Sequence, residues 1–290
     1  MSNKKKIVLF PNVNRDIDLA IMHRVANMLE QYGREIAICP VFDDEMDVFP
    51  PMPGFSATNL EDELDNAEMI ITFGGDGTIL RAARAAAESE TPILGINMGG
   101  KGFMADLEVA EIELISAAAT GAYEIECRMM LETNVVRGAE AVYRDFALND
   151  IVLRGDNKVI DLSLYGDGQL ISEFSGDGVI IATPTGSTAY SMAAGGPIVE
   201  PSAQNIIITP ICAHVLEAKP YVLASDRRVS VEIGYKKHGP AYLSADGGKR
   251  VDIFGSDVIN VGKSDKCTYL VHLSNRSFYK KVSEKLGEKS

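Results

Sequence analysis

Cysteine is scarce in this sequence, and long apolar runs are absent. The four cysteines include no C-x-x-C pair, and most lie within short apolar runs. We therefore expect reduced residues in the core of a protein from a reducing compartment. They are Cys39, Cys127, Cys212 and Cys267. The apolar run after the N-terminal lysines, Ile7–Phe10, is too short for a signal peptide or a membrane span, so we expect a cytoplasmic protein with no membrane partner.

Several metal-binding and nucleotide-binding motifs are also missing. No G-x-G-x-x-G occurs, which removes support for a dehydrogenase of the Rossmann type. No complete G-x-x-x-x-G-K-[ST] occurs either, and Gly262-Lys263-Ser264 is expected to form a turn at the end of a strand. Neither H-E-x-x-H nor a Cys/His cluster with metal-ligand spacing is present, so no protein-bound metal site is predicted.

The four histidines form no motif. Cys212 and His214 lie two residues apart in an apolar run, a pattern more typical of a core than of metal ligands. The other three are isolated in the sequence, and we expect ordinary structural roles for them. They are His23, His238 and His272.

Basic residues are too few to balance the acidic ones. The chain has 28 Lys and Arg against 41 Asp and Glu, which gives a net charge of -13. Such a protein repels nucleic-acid phosphates and anionic lipids as a whole, so we expect neither as a partner. An anionic substrate would need a local site of backbone amides, a metal ion or a few cations. The simpler interpretation, which we favour, is that the acidity only aids solubility.

The first 120 residues alternate short apolar runs with helical spacing. This alternation predicts a mainly parallel sheet with helices on its faces. The segment from Asp43 to Gly54 is acidic and rich in proline, and we expect an exposed loop there. The predicted strands are Ile7–Phe10, Glu35–Cys39, Met69–Phe73 and Pro92–Ile96, and the predicted helices cover Ile17–Leu29 and Thr78–Ala87.

After about Tyr123, β-branched and aromatic runs at short intervals predict an all-β domain of the sandwich type. Gly166-Asp167-Gly168 predicts a hairpin turn. Ser277–Gly287 predicts a final helix packed on the first domain, so the expected domains are residues 1–122 with 277–290, and residues 123–276. The predicted strands are Asn134–Arg137, Val142–Ala147, Ile151–Arg154, Val159–Tyr165, Gln169–Phe174, Val179–Ala182, Ile206–Ile211, Val229–Tyr235, Val251–Ile253, Val258–Val261 and Thr268–Leu273.

The third predicted strand runs directly into Gly74-Gly75-Asp76-Gly77-Thr78 and then into a helix. Glycines there let a ligand approach the backbone, and the helix start offers unpaired N–H groups that suit phosphate. The carboxylate of Asp76 is placed to accept a proton from an attacking hydroxyl or to hold a magnesium ion. The alternative is a plain strand–helix turn with Asp76 as the helix cap, but the five-residue motif in this context favours the ligand site.

A second motif, Gly176-Asp177-Gly178 followed by Thr183-Pro184-Thr185-Gly186-Ser187-Thr188-Ala189-Tyr190-Ser191, clusters small hydroxyl residues after an apolar strand. Hydroxyl groups and backbone amides at a helix start can bind ribose and phosphate, and Tyr190 could stack on a flat ring. The alternative is a structural turn with a buried tyrosine. The density of hydroxyl groups favours a ligand site.

These motifs together resemble those of bacterial NAD kinases over nearly the whole chain. GGDGT alone is shared with diacylglycerol-type lipid kinases and phosphofructokinases, whereas the later motifs are far more specific. The matching motifs, in the family's order and spacing, are GGDGT at 74–78, Gly95-Ile96-Asn97, Gly102-Phe103, Arg128-Met129-Met130-Leu131, Ala147-Leu148-Asn149-Asp150 and the run from Gly176 to Ser191.

The resemblance implies a Rossmann-like α/β domain, a C-terminal β-sandwich-type domain and a site in the crevice between them. It implies a phosphotransferase with an alcohol acceptor, which moves the γ-phosphoryl of ATP, bound with magnesium, to the 2′-hydroxyl of the adenosine ribose of NAD, giving NADP. It also implies a homodimer or homotetramer. Two rival functions are a lipid or sugar kinase that shares GGDGT, and an NAD-binding regulator without activity.

The resemblance assigns Asp76 as the general base. The residues that it implies for nucleotide binding are Gly75, Gly77, Thr78, Arg81, Phe103, Asn149, Asp150, Lys158, Asp177, Thr188, Ala189, Tyr190, Ser191, Met192 and Ala193. The chain departs from the family's usual residues at Gly100-Lys101, Ala193, Lys219 and Gly248.

Overall fold

The computed structural model describes residues 6–41, 56–99, 102–214, 218–234, 240–274 and 276–287. The predicted loop from Asp43 to Gly54, the departure at Gly100-Lys101 and His238 lie outside the described residues. The chain divides into two compact units, one formed by residues 1–127 with 268–290 and the other by residues 128–267.

The first unit is built on a parallel sheet. Its strands pair in the order β2-β1-β3-β4-β5, and every pair is parallel. Almost every residue of β1 and β4 is buried, as expected where helices cover both faces of a parallel sheet. The elements are β1 (Lys6–Pro11), α1 (Ala20–Gln31), β2 (Ile36–Ile38), α2 (Leu60–Glu63), β3 (Ala67–Gly74), α3 (Asp76–Ala86), β4 (Ile93–Asn97), β5 (Leu107–Glu108) and α4 (Ile115–Thr120).

Helix α1 shows how the sequence forms this unit. The Asp16 carboxylate accepts hydrogen bonds from the backbone N–H groups of Ile21 (3.0 Å) and Met22 (2.8 Å), where the helix begins. A carboxylate there satisfies N–H groups that have no partner within the helix, and the helix dipole favours its charge. The apolar face of α1, which includes Val25 and Leu29, packs into the core beside the buried strands.

The second unit is a β-sandwich. A six-stranded antiparallel sheet has the order β13-β12-β11-β8-β15-β16, and β10, β9, β14 and β17 pair antiparallel in a second group. Apolar residues from both groups form one core, which confirms the predicted fold class. The elements are β6 (Glu124–Arg137), β7 (Glu140–Ala147), β8 (Asp150–Gly155), β9 (Ile160–Gly166), β10 (Gln169–Gly176), β11 (Gly178–Ala182), α5 (Tyr190–Ala193), β12 (Asn205–Ile211), β13 (Tyr221–Ala224), β14 (Val229–Ile233), β15 (Ala241–Ala245), β16 (Val251–Ile253) and β17 (Asp257–His272).

The chain returns to the first unit at its end. Leu270, late in β17, pairs with Ile93 of β4 in a parallel arrangement. Helix α6 (Phe278–Leu286) follows, and the hydroxyl of Ser277 accepts a hydrogen bond from the N–H of Lys280 at its start. No helix in the described parts of the chain is long and apolar enough to cross a membrane.

Several local predictions are corrected by the structure. The two strands predicted over Val258–Val261 and Thr268–Leu273 are one strand of 16 residues, β17, so the turn expected at Gly262-Lys263-Ser264 is wrong. The hairpin at Gly166-Asp167-Gly168 is confirmed, since Asp167 and Gly168 have φ values of 50° and 78°. Strands β5, β13 and β15 and helices α2 and α4 were not predicted.

The cysteines also differ from the prediction. None of the four, all of which lie within the described ranges, forms a disulfide, but only Cys39 is buried in the core. Cys127 and Cys212 are exposed, and so is His214. Cys212 has a φ of 47°, because the chain turns away as soon as the apolar strand β12 ends. The core location expected for Cys212 and His214 is therefore wrong.

Candidate active site

A pocket of about 330 Å³ lies at the carboxyl ends of β1, β3 and β4 in the first unit. Parallel strands end at the same edge of a sheet, which is why segments distant in sequence meet there. The lining residues are Asn12 and Arg15 after β1, Gly75, Asp76, Gly77, Thr78 and Arg81 after β3, and Asn97, Met98, Gly99 and Gly102 after β4.

The glycines after β3 differ in what they allow. A Cβ added at Gly74 would collide with the hydroxyl of Thr78, so the turn packs only with glycine there. A Cβ added at Gly75 or Gly77 would meet no atom within 4 Å, so these two leave the backbone open. The amides of the first turn of α3 and its dipole, with Arg15 and Arg81 on the lining, make a site suited to phosphate.

The carboxylate of Asp76 is held by the segment after β4. Its Oδ2 accepts a hydrogen bond from the N–H of Phe103 (2.8 Å), and its Oδ1 accepts one from the N–H of Met104 (3.1 Å). Burial raises the pKa of Asp76 above its ordinary value, and the amides of Phe103–Ala105 and the charge of Lys281 partly offset this. The N-cap of α3 is Gly75, so Asp76 is not the helix cap. A carboxylate with a raised pKa is a better proton acceptor.

The structure thus brings five of the predicted phosphate-site residues, from Gly75 to Arg81, onto one pocket. Phe103 reaches Asp76 through its backbone N–H. Sequence reasoning missed Asn12 and Arg15, and it gave Asn97 no role. The one available signal was position, because each follows the carboxyl end of a predicted strand or closes it.

In the second unit, Asn149 and Asp150 lie where β7 passes into β8. The carboxylate of Asp246 accepts hydrogen bonds from the backbone N–H groups of Leu148 (2.7 Å), Asn149 (2.8 Å) and Asp150 (3.0 Å). Burial, with the nearby charge of Asp246 as a smaller cause, raises the pKa of Asp150 to about 7. Asp246 therefore fixes the backbone of the predicted NAD-binding pair, a role that sequence reasoning missed.

The hydroxyl-rich run packs against this segment. Thr183 donates from its hydroxyl to the carbonyl of Leu148 (2.6 Å) and from its backbone N–H to the carbonyl of Asn149 (2.9 Å). A Cβ added at Gly186 would collide with the backbone of Asn149. Glycine and threonine here join two motifs that lie more than thirty residues apart in the chain.

Many of the hydroxyl groups in this run are occupied within the fold. Ser187 bonds to the backbone of Val199, and the fully buried Ser191 lies 2.8 Å from the hydroxyl of Thr209. Hydroxyl density therefore indicated structure as much as ligand binding at these two positions. Tyr190 has 36% of its surface exposed, so the alternative of a structural turn with a buried tyrosine is wrong. Of its neighbours, Ala193 is exposed, and Thr188, Ala189 and Met192 are partly buried.

The structure separates the remaining predicted residues. Asn149 precedes β8 and Lys158 follows it, so a strand of six residues, about 20 Å long, stands between them. Asp177 lies at the Lys158 end, because its carbonyl accepts a hydrogen bond from the N–H of Gly155 (2.9 Å). The predicted NAD-binding residues thus form two groups at opposite ends of β8 and β11.

Relatives of known identity share this sequence over nearly its full length. The NAD kinase of Ruminiclostridium cellulolyticum is 33% identical over 292 residues, which cover 98% of this chain and 99% of that protein. This chain belongs to the NAD kinase family. The NAD kinase of Caldanaerobacter subterraneus subsp. tengcongensis is 37% identical over 290 residues, covering 98% of this chain and 100% of that one. The lipid-kinase and sugar-kinase alternatives lose their support.

Family models and solved structures agree with this assignment. The ATP-NAD kinase N-terminal domain matches residues 53–123, and the ATP-NAD kinase C-terminal domain matches residues 148–273. Yeast NADH kinase, solved in complex with NADH, has a TM-score of 0.83 and 26% identity, covering 100% of this chain and 89% of that one. The NAD kinase from Archaeoglobus fulgidus, solved in complex with ATP, has a TM-score of 0.73 and 28% identity, covering 97% and 98%.

Proposed function

We propose that this NAD kinase family member transfers the γ-phosphoryl of ATP to the 2′-hydroxyl of the adenosine ribose of NAD, giving NADP and ADP. The observation that carries the proposal is Asp76, a carboxylate of raised pKa at a glycine-lined pocket beside the start of α3. Asp76 accepts the hydroxyl proton as the ribose oxygen bonds to the γ-phosphorus, and the bond from that phosphorus to the β–γ bridging oxygen breaks.

The chain's own contribution on the donor side is positioning and charge stabilisation. In the proposal, the amides of the first turn of α3, with Arg15 and Arg81, hold the triphosphate. Support comes from the open backbone at Gly75 and Gly77, which lets phosphate oxygens approach closely. Thr78 is buried, and its hydroxyl lies 3.5 Å from the Asn12 amide, so it shapes the pocket floor.

Magnesium enters this proposal as part of the ATP substrate. Among the residues that the structure describes, no three or more His, Cys, Asp or Glu side chains gather where they could hold a metal ion. Coordination chiefly by phosphate oxygens and water suits magnesium, which keeps several waters and needs few protein carboxylates.

On the acceptor side, we assign NAD contacts to Asn149, Asp150 and the segment from Thr188 to Ala193. The ring of Tyr190 is partly exposed and free to stack on adenine. Lys158 and Asp177 stay in the proposal as a second group of contacts. Resemblance to the family also supports a cytoplasmic homodimer or homotetramer, which fractionation and light scattering would test.

The test is an assay of phosphoryl transfer with ATP and with polyphosphate as donors, and with NAD, NADH, diacylglycerol and fructose 6-phosphate as acceptors. We expect NADP from ATP and NAD, and a loss of about 10²–10⁴-fold in kcat for Asp76→Asn. Asp65→Asn, an exposed aspartate of the same unit, is the matched control. NAD binding without NADP formation by the unsubstituted protein would instead favour the regulator, and a fully active Asp76→Asn would remove the base assignment.

A further inference from the structure

The segment that binds the Asp76 carboxylate is itself held in place by α6. Residues 102–106 follow β4 and donate two backbone hydrogen bonds to the Asp76 carboxylate. A Cβ added at Gly102 would lie 2.9 Å from Asp76 Oδ1, so the segment is packed closely against that oxygen. The position of the carboxylate therefore depends on whatever fixes this segment.

Lys281 of α6 holds this segment in place. Its Nζ donates a hydrogen bond to the carbonyl of Ala105 (2.9 Å), and it is only 8% exposed. It is the buried residue of a helix whose other positions are partly or fully exposed. A lysine is almost never buried without a specific partner, and an apolar residue would fill such a site at less desolvation cost. A position that breaks the usual pattern in this way is a candidate for a functional role.

Further ionic contacts fix the position of α6. Lys285 lies 3.4 Å from Glu108, and Arg276, just before the helix, lies 2.8 Å from Glu111. Both oxygens of Glu108 accept hydrogen bonds from the side-chain amide of Asn97 (3.1 and 2.9 Å), which lines the pocket. The helix is thus linked to Asn97 through Glu108 and to the segment after β4 through Lys281. A shift of Lys281 along the segment would disrupt these pairs.

We propose that Lys281 is a positioning residue for phosphoryl transfer, which holds the Phe103–Ala105 segment, and through it the Asp76 carboxylate, in the geometry that receives the proton. This inference rests on the proposed role of Asp76 as the base. Lys281 touches the backbone of the segment rather than the reacting atoms, so its effect passes through Asp76.

The charges around Asp76 give the inference a distinctive test. Arg81 on its own helix and Arg15 after β1 line the pocket, and Lys281 contacts the segment from α6. Farther along the segment, Asp106 pairs with His272. The positive charge of Lys281 lowers the pKa of Asp76 against the effect of burial. Removal of that charge therefore raises the pKa of Asp76 and moves the acid limb of the kcat/KM profile to higher pH.

The experiment compares pH profiles of NADP formation for Lys281→Met, Lys281→Arg, Lys280→Met and Asp76→Asn. We expect Lys281→Met to lose about 10- to 100-fold in kcat, with little change in the KM values, and to shift its acid limb to higher pH. Lys281→Arg should recover most of kcat and the original limb. Lys280, exposed on the same helix beside Glu284, gives the matched control, which should behave like the unsubstituted protein.

The outcomes separate the two proposals. A normal kcat and pH profile in Lys281→Met, or a loss of kcat with an unmoved limb and no rescue by arginine, would overturn the role of Lys281. If Lys281→Met does not fold, Lys281→Gln keeps an N–H donor and removes only the charge, so the shift of the acid limb decides. Retained activity in Asp76→Asn would instead overturn the base assignment, whatever the lysine variants do.

Discussion

Asp246 and Asp150 in the second unit have identical side chains in different environments, and the environment decides how stable each charged form is. Asp246 stays in contact with three backbone N–H groups, which stabilise its charged form. Asp150 is 5% exposed, and its pKa of about 7 follows from burial and from the charge of Asp246. Asp150 thus titrates near neutral pH, and its charged form destabilises the folded state.

We expect Asp150→Asn to stabilise the protein above pH 7. The folded pKa lies above the ordinary 3.8, so the folded state binds the extra proton and stability falls as pH rises from about 3.8 to about 7. Asparagine removes this loss, which is at most about 4 kcal/mol. Urea unfolding at about pH 5 to 8, which covers the upper part of that fall and the plateau above it, measures the difference. The exposed Asp252→Asn of the same sheet is the control, and equal pH slopes in both variants would contradict the expectation.

At the scale of elements, the passage from β3 into α3 carries the proposed chemistry. The strand is an almost fully buried apolar run, and the helix starts two residues after it ends. Gly74 is needed for packing against Thr78, whereas Gly77 faces open space. One short motif therefore contains a glycine that serves the fold and another that serves the approach of a ligand.

We expect Gly74→Ala and Gly77→Ala to separate these two roles. Gly74→Ala should cost about 1–3 kcal/mol of unfolding free energy, because the Thr78 side chain must move. Gly77→Ala should leave stability unchanged or raise it by up to about 1 kcal/mol, since alanine favours the helix. It should nevertheless raise the KM for ATP about 10-fold, a loss of about 1.4 kcal/mol in binding. Calorimetry and steady-state kinetics test the pair, and an unchanged KM for ATP would exclude close phosphate contact at Gly77.

The strands show which elements can be predicted from the sequence and which cannot. Strands such as β1, β3 and β11 are continuous apolar runs, and their composition alone predicts them. Gly262-Lys263-Ser264 has the composition of a turn, yet it lies within β17, because pairing on both sides of it overrides local preference. Strand β6 begins at Glu124, before the predicted Asn134–Arg137.

The site was predictable where a motif is contiguous and not where folding assembles it. GGDGT and its Asp76 were found from the sequence because turn, carboxylate and helix start are neighbours in the chain. Asn12, Asp246 and Lys281 were missed because each reaches its partners from a distant segment. No local pattern encodes such contacts, which depend on the order of strands and the path of the chain.

At the scale of the whole molecule, His272 connects three parts of the first unit. Its Nδ1 lies 3.0 Å from Asp106 and its Nε2 lies 2.8 Å from Glu126, and Asp106 also accepts hydrogen bonds from the N–H groups of Leu273 and Ser274. Hydrogen bonding to Asp106, and then to Glu126, raises the pKa of His272 to about 9. His272 therefore has a structural role at the centre of a charged cluster, which its isolation in the sequence did not indicate.

We expect this cluster to make stability depend on alkaline pH. Because the folded pKa exceeds the ordinary 6.5, the stabilisation is complete below pH 6.5 and is lost as pH rises through about 9. Its size should be about 1–2 kcal/mol after solvent screening of a partly exposed group. His272→Gln should flatten the alkaline fall in urea-unfolding free energy, and the exposed His214→Gln should not. Parallel pH curves for all three proteins would rule the cluster out as the cause.

The discontinuity of the first unit in the chain has a consequence for synthesis. Its residues up to 127 leave the ribosome first, and residues 268–287 follow only after the whole intervening unit has been made. Domains tend to fold in the order in which they emerge. The second unit is therefore complete, and able to fold, while the first still lacks α6 and the end of β17. A nascent chain therefore contains Asp76 and its neighbouring glycines long before it contains Lys281 and His272, so the contacts of these two residues form only at the end of synthesis.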